Sequence, residues 1–221
     1  MGGVDTDPYR EVVREICRGI GMVTGLYAEA ASMPGWVSVH CTSAGMAGWL
    51  ARAMVMENVS ARFGGLRLYV PVGAAYRLEK EIKNVVTSVA KTCHYWLEHT
   101  CAEEHDAIAG LLYAMERESP VVQPGLDGGT QPLCEAMAVT LTERTGMRCF
   151  TRPGGGWLGL ECGEVQAAIW MMRALVASNA FARREETVVF VAVNAVSDPS
   201  GEAVVQAVES VHRFGVGLGM C

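Results

Sequence analysis

An α/β protein built from two copies of one unit is what this sequence predicts, on three observations. First, a stretch recurs. Residues 35–41 read Gly-Trp-Val-Ser-Val-His-Cys and residues 156–162 read Gly-Trp-Leu-Gly-Leu-Glu-Cys, the kind of internal repeat that sets an architecture. Second, the match continues without a gap at a spacing of 121 residues. Thr24-Gly25 meets Thr145-Gly146, Trp49 meets Trp170, Arg52 meets Arg173, Asn58 meets Asn179, and Val70 and Val72 meet Val191 and Val193. Third, short β-rich runs alternate with helical periodicity inside each copy. The expected unit is α-β-β-α-β-α, forming three-layer mixed sheets related by a pseudo-two-fold axis. The first repeat with an extra helix is expected over residues 1–118, a linker over 119–132, and the second repeat over 133–221.

Residues 9–22 place Val12, Val13, Ile16 and Ile20 on one helical stripe, with Gly21 and Gly25 as stop signals. Residues 26–31 read as extended, Ser32-Met33-Pro34-Gly35 as a turn, and residues 36–41 as the return strand of a hairpin. The second copy repeats this with residues 147–152, a turn at Pro153-Gly154-Gly155-Gly156, and residues 157–162. Thr42 or Ser43 can cap the next helix, which carries Met46, Leu50 and Met54, by accepting a first-turn N–H. Its counterpart opens at Gly163-Glu164. The runs 66–72 and 187–193 have the composition of strands buried on both faces. Reached through a helix, each is expected to be a right-handed parallel crossover. Helices follow at 78–98 and about 200–214. An extra one at 101–118 is introduced by the capping-box pattern Thr100-x-x-Glu103.

This order resembles the core of the cytidine-deaminase-like fold, with Cys162-Gly163-Glu164 at the place of its Cys/His-Ala-Glu motif. The resemblance implies a zinc site only where a Pro-Cys-x-x-Cys follows the next strand. Here that place reads Ser197-Asp198-Pro199-Ser200-Gly201, and the first copy has Ala75-Tyr76-Arg77. Two of the three ligands are absent, so the resemblance carries topology and no deaminase activity.

Composition narrows the classes. A net charge of −6 and the lack of a basic stripe argue against a nucleic-acid partner. Nothing approaches the roughly 18 consecutive apolar residues of a membrane span. The start Met1-Gly2-Gly3-Val4-Asp5 lacks the basic and apolar regions of a signal peptide, so the expected address is the cytoplasm and the eight cysteines are expected as free thiols or ligands. Half of the residues are apolar, more than one core of this size readily hides. A homodimer is therefore expected.

Three groups of residues could carry chemistry. Cys41 and Cys162 share the duplicated place between strand and helix, where free N–H groups and partial positive charge favour a thiolate. The competing reading is that each closes an apolar row, after Val37 and Val39 or after Leu158 and Leu160. His40 and Glu161 are equivalent, and alternation points each away from its cysteine. Meeting across the pseudo-two-fold, with Glu164 from the first helical turn, they would form an acid–base pair; otherwise they are solvated strand ends. Trp49 with Arg52, and Trp170 with Arg173, share a helix face and could stack or hold an anionic ligand, or form a packing unit. Finally, His94, Glu98, Cys101 and His105 fall on one face of a continuous helix, able to bind a divalent metal, unless the Thr100 cap breaks the helix.

The expected function is an enzyme acting on a small polar or anionic metabolite between the copies, with Cys162, Glu164 and His40, Cys41 or Glu161 as catalytic groups. The alternatives are a non-catalytic ligand-binding or assembly module and a metal-handling protein.

Overall fold

Helix α1, Asp7–Thr24, begins where the Thr6 hydroxyl accepts the Tyr9 N–H, and ends on Gly25 at φ 71°. It runs through Gly21. A helical glycine costs only about 1 kcal/mol, and the buried stripe Val12, Ile16 and Ile20 offsets that. The computed structural model describes residues 6–125, 130–151 and 156–220. The expected Pro153-Gly154-Gly155 turn lies outside the described residues, as does most of the 126–132 end of the expected linker.

The chain divides into two units, Met1–Ala114 and Met115–Cys221. In unit 1, α1 is followed by β1 (Ala28–Ala30), β2 (Trp36–His40), α2 (Ala44–Met56), β3 (Arg62–Gly64) and β4 (Arg67–Pro71). A π-helical turn at Leu78–Ile82 leads into α3 (Lys83–Glu98), and α4 spans Ala102–Glu118. After it come α5 (Gln131–Thr145), β5 (Cys149–Thr151), β6 (Trp157–Glu161), α6 (Val165–Ala177), β7 (Ala182–Glu185), β8 (Val188–Ala192) and α7 (Glu202–Gly217).

Two expectations about the sheets are corrected. The chain does not return through a parallel crossover: β2 pairs β4 antiparallel, and β6 pairs β8 antiparallel. The reason is an extra strand in each unit. After α2 and α6 the chain enters a hairpin, β3–β4 or β7–β8, whose second arm runs back beside the central strand. The first arms, Arg62-Phe63-Gly64 and Ala182-Arg183-Arg184-Glu185, are charged edge strands without the apolar run that marks a buried strand. The unit is thus α-β-β-α-β-β-α, both sheets are purely antiparallel, and the topological resemblance to the deaminase core ends at this hairpin.

Registers coincide under the 121-residue offset. Ala28 pairs Val39 and Cys149 pairs Leu160; Trp36 pairs Pro71 and Trp157 pairs Ala192; Arg62 pairs Tyr69 and Arg183 pairs Phe190. Strand orders are β1-β2-β4-β3 and β5-β6-β8-β7. Helices α2 and α6 are each followed, two residues past the last helical residue, by an asparagine with a positive φ, Asn58 at 61° and Asn179 at 59°, a conformation asparagine tolerates better than most residues.

Each unit has two layers, not three. In unit 2, α5, α6 and α7 all pack on one sheet face: Met137 and Leu141, Met171 and Leu175, and Val204 and Val208 share a core with Leu158, Leu160, Val189 and Val191. In unit 1, α3 touches both α1 and α2, while α1 reaches β1 and α2 reaches β3 and β4, over the fully buried Val37, Val39, Leu68 and Val70.

Part of the expected linker belongs to unit 2. Val122 N–H donates to Asn179 O, Phe181 N–H donates to Val122 O, and Gly125 N–H donates to Val193 O. The Asn179 amide donates to Ser119 O at 2.7 Å.

Candidate functional site

The two cysteines at equivalent positions sit where the sequence places them, between strand and helix, and both turn inward. Ser43 caps α2, its hydroxyl accepting the Met46 N–H at 3.0 Å, while Cys41 completes the buried row begun by Val37 and Val39. Burial pushes its thiol up to about 11, the reverse of the thiolate that a helix N-terminus was expected to favour. Desolvation of a charged sulfur outweighs the partial charge of the helix end. Cys162 is half-buried; its thiol faces Leu160 O at 3.7 Å and Met171 Sδ at 3.6 Å, beside the unit 2 core. Glu164 takes the N-cap place of α6 with no side-chain cap and is exposed. Its own N–H donates to Cys162 O at 2.8 Å.

His40 and Glu161 each find partners inside their own unit. Glu161 accepts from the Thr187 hydroxyl at 2.7 Å. His40 belongs to a polar cluster on the helix-free face of the first sheet, which the repeat-centred sequence reading missed. Its Nε2 lies 2.9 Å from Glu29 Oε1 and 2.7 Å from Arg67 Nη1. Arg67 Nη1 also reaches Glu29 Oε1 and Ser38 Oγ, each at 2.9 Å, and the Tyr27 ring meets the imidazole edge-on at 5.0 Å. Nε2 can accept from Arg67 when bare or donate to Glu29 when protonated, and not both. The imidazole contact and then the guanidinium hold the Glu29 carboxyl down to about 2. The signal in the sequence was strand alternation: Glu29, Ser38, His40, Arg67 and Tyr69 share one face once register is known. A polar cleft of about 510 Å³ opens over Glu29, Ser32, Ser38, Arg67 and Tyr69.

The tryptophan–arginine pairs separate. Arg52 lies over Phe63, 5.3 Å from the ring centroid, and donates to Gly48 O at 3.1 Å. Trp49 stacks on Tyr95 at 6.1 Å and meets Trp96 at 5.4 Å. Trp170 stacks on Phe214 at 6.4 Å, and Arg173 is exposed. Trp49 and Arg52 nevertheless line a common apolar cleft of about 540 Å³ between α2 and α3, with Met56 and Tyr95. The Lys91–Glu57 ion pair, 2.7 Å, stands at its edge.

The proposed metal ligands are dispersed by the break at Thr100. The Thr100 hydroxyl donates back to Trp96 O at 2.5 Å, and Glu104, not Glu103, accepts the Cys101 N–H at 2.8 Å. His105 folds back to stack on Trp96 at 4.1 Å with its Nε2 at 2.8 Å from Trp96 O. His94 pairs with Glu98 at 3.0 Å on the other helix, and Cys101 is exposed. Among the described residues no three His, Cys, Asp or Glu side chains form a group able to hold a metal ion. All seven described cysteines are free thiols. No described helix is long and apolar enough to cross a membrane.

No family model and no curated protein matches this chain.

Proposed function

We propose that this chain is a non-catalytic binding and assembly module, made by duplication of one α/β unit and working as a homodimer, in place of an enzyme acting through Cys162. The observation that carries this reading is the shared fate of the duplicated cysteines. Each closes an apolar strand row above a helix layer, Cys41 at 7% exposure and Cys162 against Met171. A thiol hydrogen shared with a carbonyl or thioether is a contact that a thiolate cannot make. Exposed apolar side chains on each unit support assembly: α4 carries no buried residue and exposes Leu111 and Tyr113, and the end of unit 2 exposes Phe214, Val216 and Leu218, each at least half exposed. The α2–α3 cleft, with the Trp49 and Tyr95 rings beside Lys91 and Arg52, suits a small aromatic anion as ligand.

Brief alkylation of the native protein, read by mass spectrometry, tests the reading. Among the described thiols Cys101, the exposed one, is expected to label first, with Cys162 no faster than Cys17. Labelling of Cys162 ahead of Cys101 would return the thiol enzyme to first place. Sedimentation at micromolar concentration is expected to give a dimer, and a monomer would remove the assembly half of the proposal.

A further inference from the structure

Strand β1 is an edge, and its outer side is open. Its bonds to β2 use alternate residues: His40 N–H donates to Tyr27 O at 2.9 Å and Ala31 N–H to Trp36 O at 3.1 Å, with Glu29 opposite Ser38 between them. In an antiparallel ladder the intervening residues turn their N–H and C=O the other way. Ala28 and Ala30 therefore point theirs outward, and no described residue bonds them from that side.

The matching edge in unit 2 is capped at one main-chain group. Cys149, the counterpart of Ala28, gives its N–H to Thr142 Oγ1 at 3.2 Å, and Gln131 Nε2 reaches Thr151 Oγ1 at 3.3 Å. Where α5 has Thr142, α1 has Gly21, with open space where a side chain would stand; the nearest atom to an added Cβ is Leu26 O at 3.8 Å. Around the open edge Met22, Val23 and Tyr27 are 73%, 53% and 62% exposed. Their counterparts in unit 2 are Glu143, Arg144 and Arg148. An open edge is a template for another strand, and folded chains ordinarily blunt it. Here one copy is blunted and the other is bare.

We propose that the outer edge of β1 docks an extended segment of another protein, which joins the sheet as a fifth strand with a lysine or arginine opposite Glu29. Main-chain bonds to Ala28 and Ala30 hold the segment, and the basic side chain enters the polar cleft over Glu29, Ser32, Ser38, Arg67 and Tyr69, sharing the Glu29 carboxylate with Arg67, which holds Oε1. Charge selects the occupant. Two β1 strands paired antiparallel about Glu29 would set two Glu29 carboxylates directly opposite each other, which destabilises a strand pair, whereas an opposite charge there stabilises it. The site therefore favours a basic segment over a second copy of this chain. This deepens the binding-module reading and rests on it, and the two fail separately, since thiol labelling reports nothing about the β1 edge.

The probe is an array of seven-residue peptides, alternating threonine and valine, whose central residue is varied over all side chains. The full chain is expected to bind the Lys- and Arg-centred peptides best and the Asp- and Glu-centred ones least. In solution the Lys-centred peptide should slow amide exchange at Ala28 and Ala30. Gly21→Thr supplies to Ala28 the cap that Thr142 gives Cys149. It should weaken binding roughly five-fold, the worth of one main-chain hydrogen bond, while Gly21→Ala binds as wild type and neither variant melts below it. Binding that ignores the central charge, that survives Gly21→Thr, or that protects the α2–α3 cleft instead of β1 would overturn the proposal. So would the absence of binding to any peptide on the array.

Discussion

The two sheets of this protein share every register and differ on the face that the helices leave uncovered. In unit 1 that face carries Tyr69 and the set Glu29, Ser38, His40 and Arg67, the last four joined by hydrogen bonds and ion pairs. The counterparts in unit 2 are Phe150, Gly159, Glu161, Val188 and Phe190. There the Phe150 and Phe190 rings meet edge-on at 6.0 Å, and Arg183 lies over Phe190 at 4.5 Å and over Trp157 at 5.1 Å. The helix-side rows of the central strands, by contrast, remain Val and Leu in both units: Val37, Val39, Leu68 and Val70 against Leu158, Leu160, Val189 and Val191. Register is fixed by the face that must be buried, which leaves the other face free to become a polar site in one unit and an apolar lid in the other.

The largest expected difference is at the paired positions Tyr69 and Phe190. Phe190 is fully buried, and Phe190→Ala is expected to cost about 3–5 kcal/mol through lost transfer energy and an unfilled cavity. Tyr69 is half-buried, and Tyr69→Ala is expected to cost about 1 kcal/mol, the usual size for a partly exposed change. Urea unfolding of the full chain, with amide exchange read separately in each unit, makes the comparison. Equal losses would mean that the two faces are not energetically distinct.

A second expected effect is steric and belongs to unit 2. The far end of the Phe150 ring lies against Gly159, so that a Cβ built there would come within 2.7 Å of it. Unit 1 has Ser38 at that place, with Glu29 in place of the ring. Gly159→Ser, which copies unit 1 into unit 2, is expected to cost about 1–3 kcal/mol from overpacking. Adding Phe150→Ala should make the pair less destabilising than the sum of the single changes, since the two residues share one contact. Additive losses would show that the glycine serves something other than room for Phe150.

How much of this was legible beforehand follows the same division. The recurring Gly-Trp motif, the Ser43 cap and the Gly25 stop are local, and each marks an element that the structure contains. Strands β3 and β7 were missed because three or four residues bearing Arg62, Arg183 or Arg184 show no apolar run, and their pairing rests on a hairpin partner. That omission made an antiparallel return look like a parallel crossover. The polar cluster was hidden for a related reason: Glu29 and Arg67 are 38 residues apart, and only the β1-β2-β4 register puts them beside His40. The buried environment of Cys41 depends on packing among distant elements, so its capped-helix position alone suggested a thiolate that desolvation forbids.

The smallest expected effect is the pH dependence of the polar face. Glu29 is held down to about 2 from its ordinary 4.5, first by His40 and then by Arg67. A carboxyl whose folded value lies below its unfolded one lends stability that is complete above about 4.5 and is lost as pH falls towards about 2. The position in unit 2 is Phe150, which does not titrate. Amides of β1 and β2 should therefore lose protection between pH 4.5 and 2 faster than those of β5 and β6. Glu81, held down to about 2 by the Arg77 side chain and then its main chain, acts in the same direction in unit 1, so Glu29→Gln is needed to isolate the cluster. That variant should flatten the β1–β2 profile and leave β5–β6 unchanged. The shift is expected to be modest, since Glu29, His40 and Arg67 are each more than a third exposed and solvent screens their charges. Identical profiles for wild type and Glu29→Gln would mean that the cluster orients side chains on this face without contributing to the stability of unit 1.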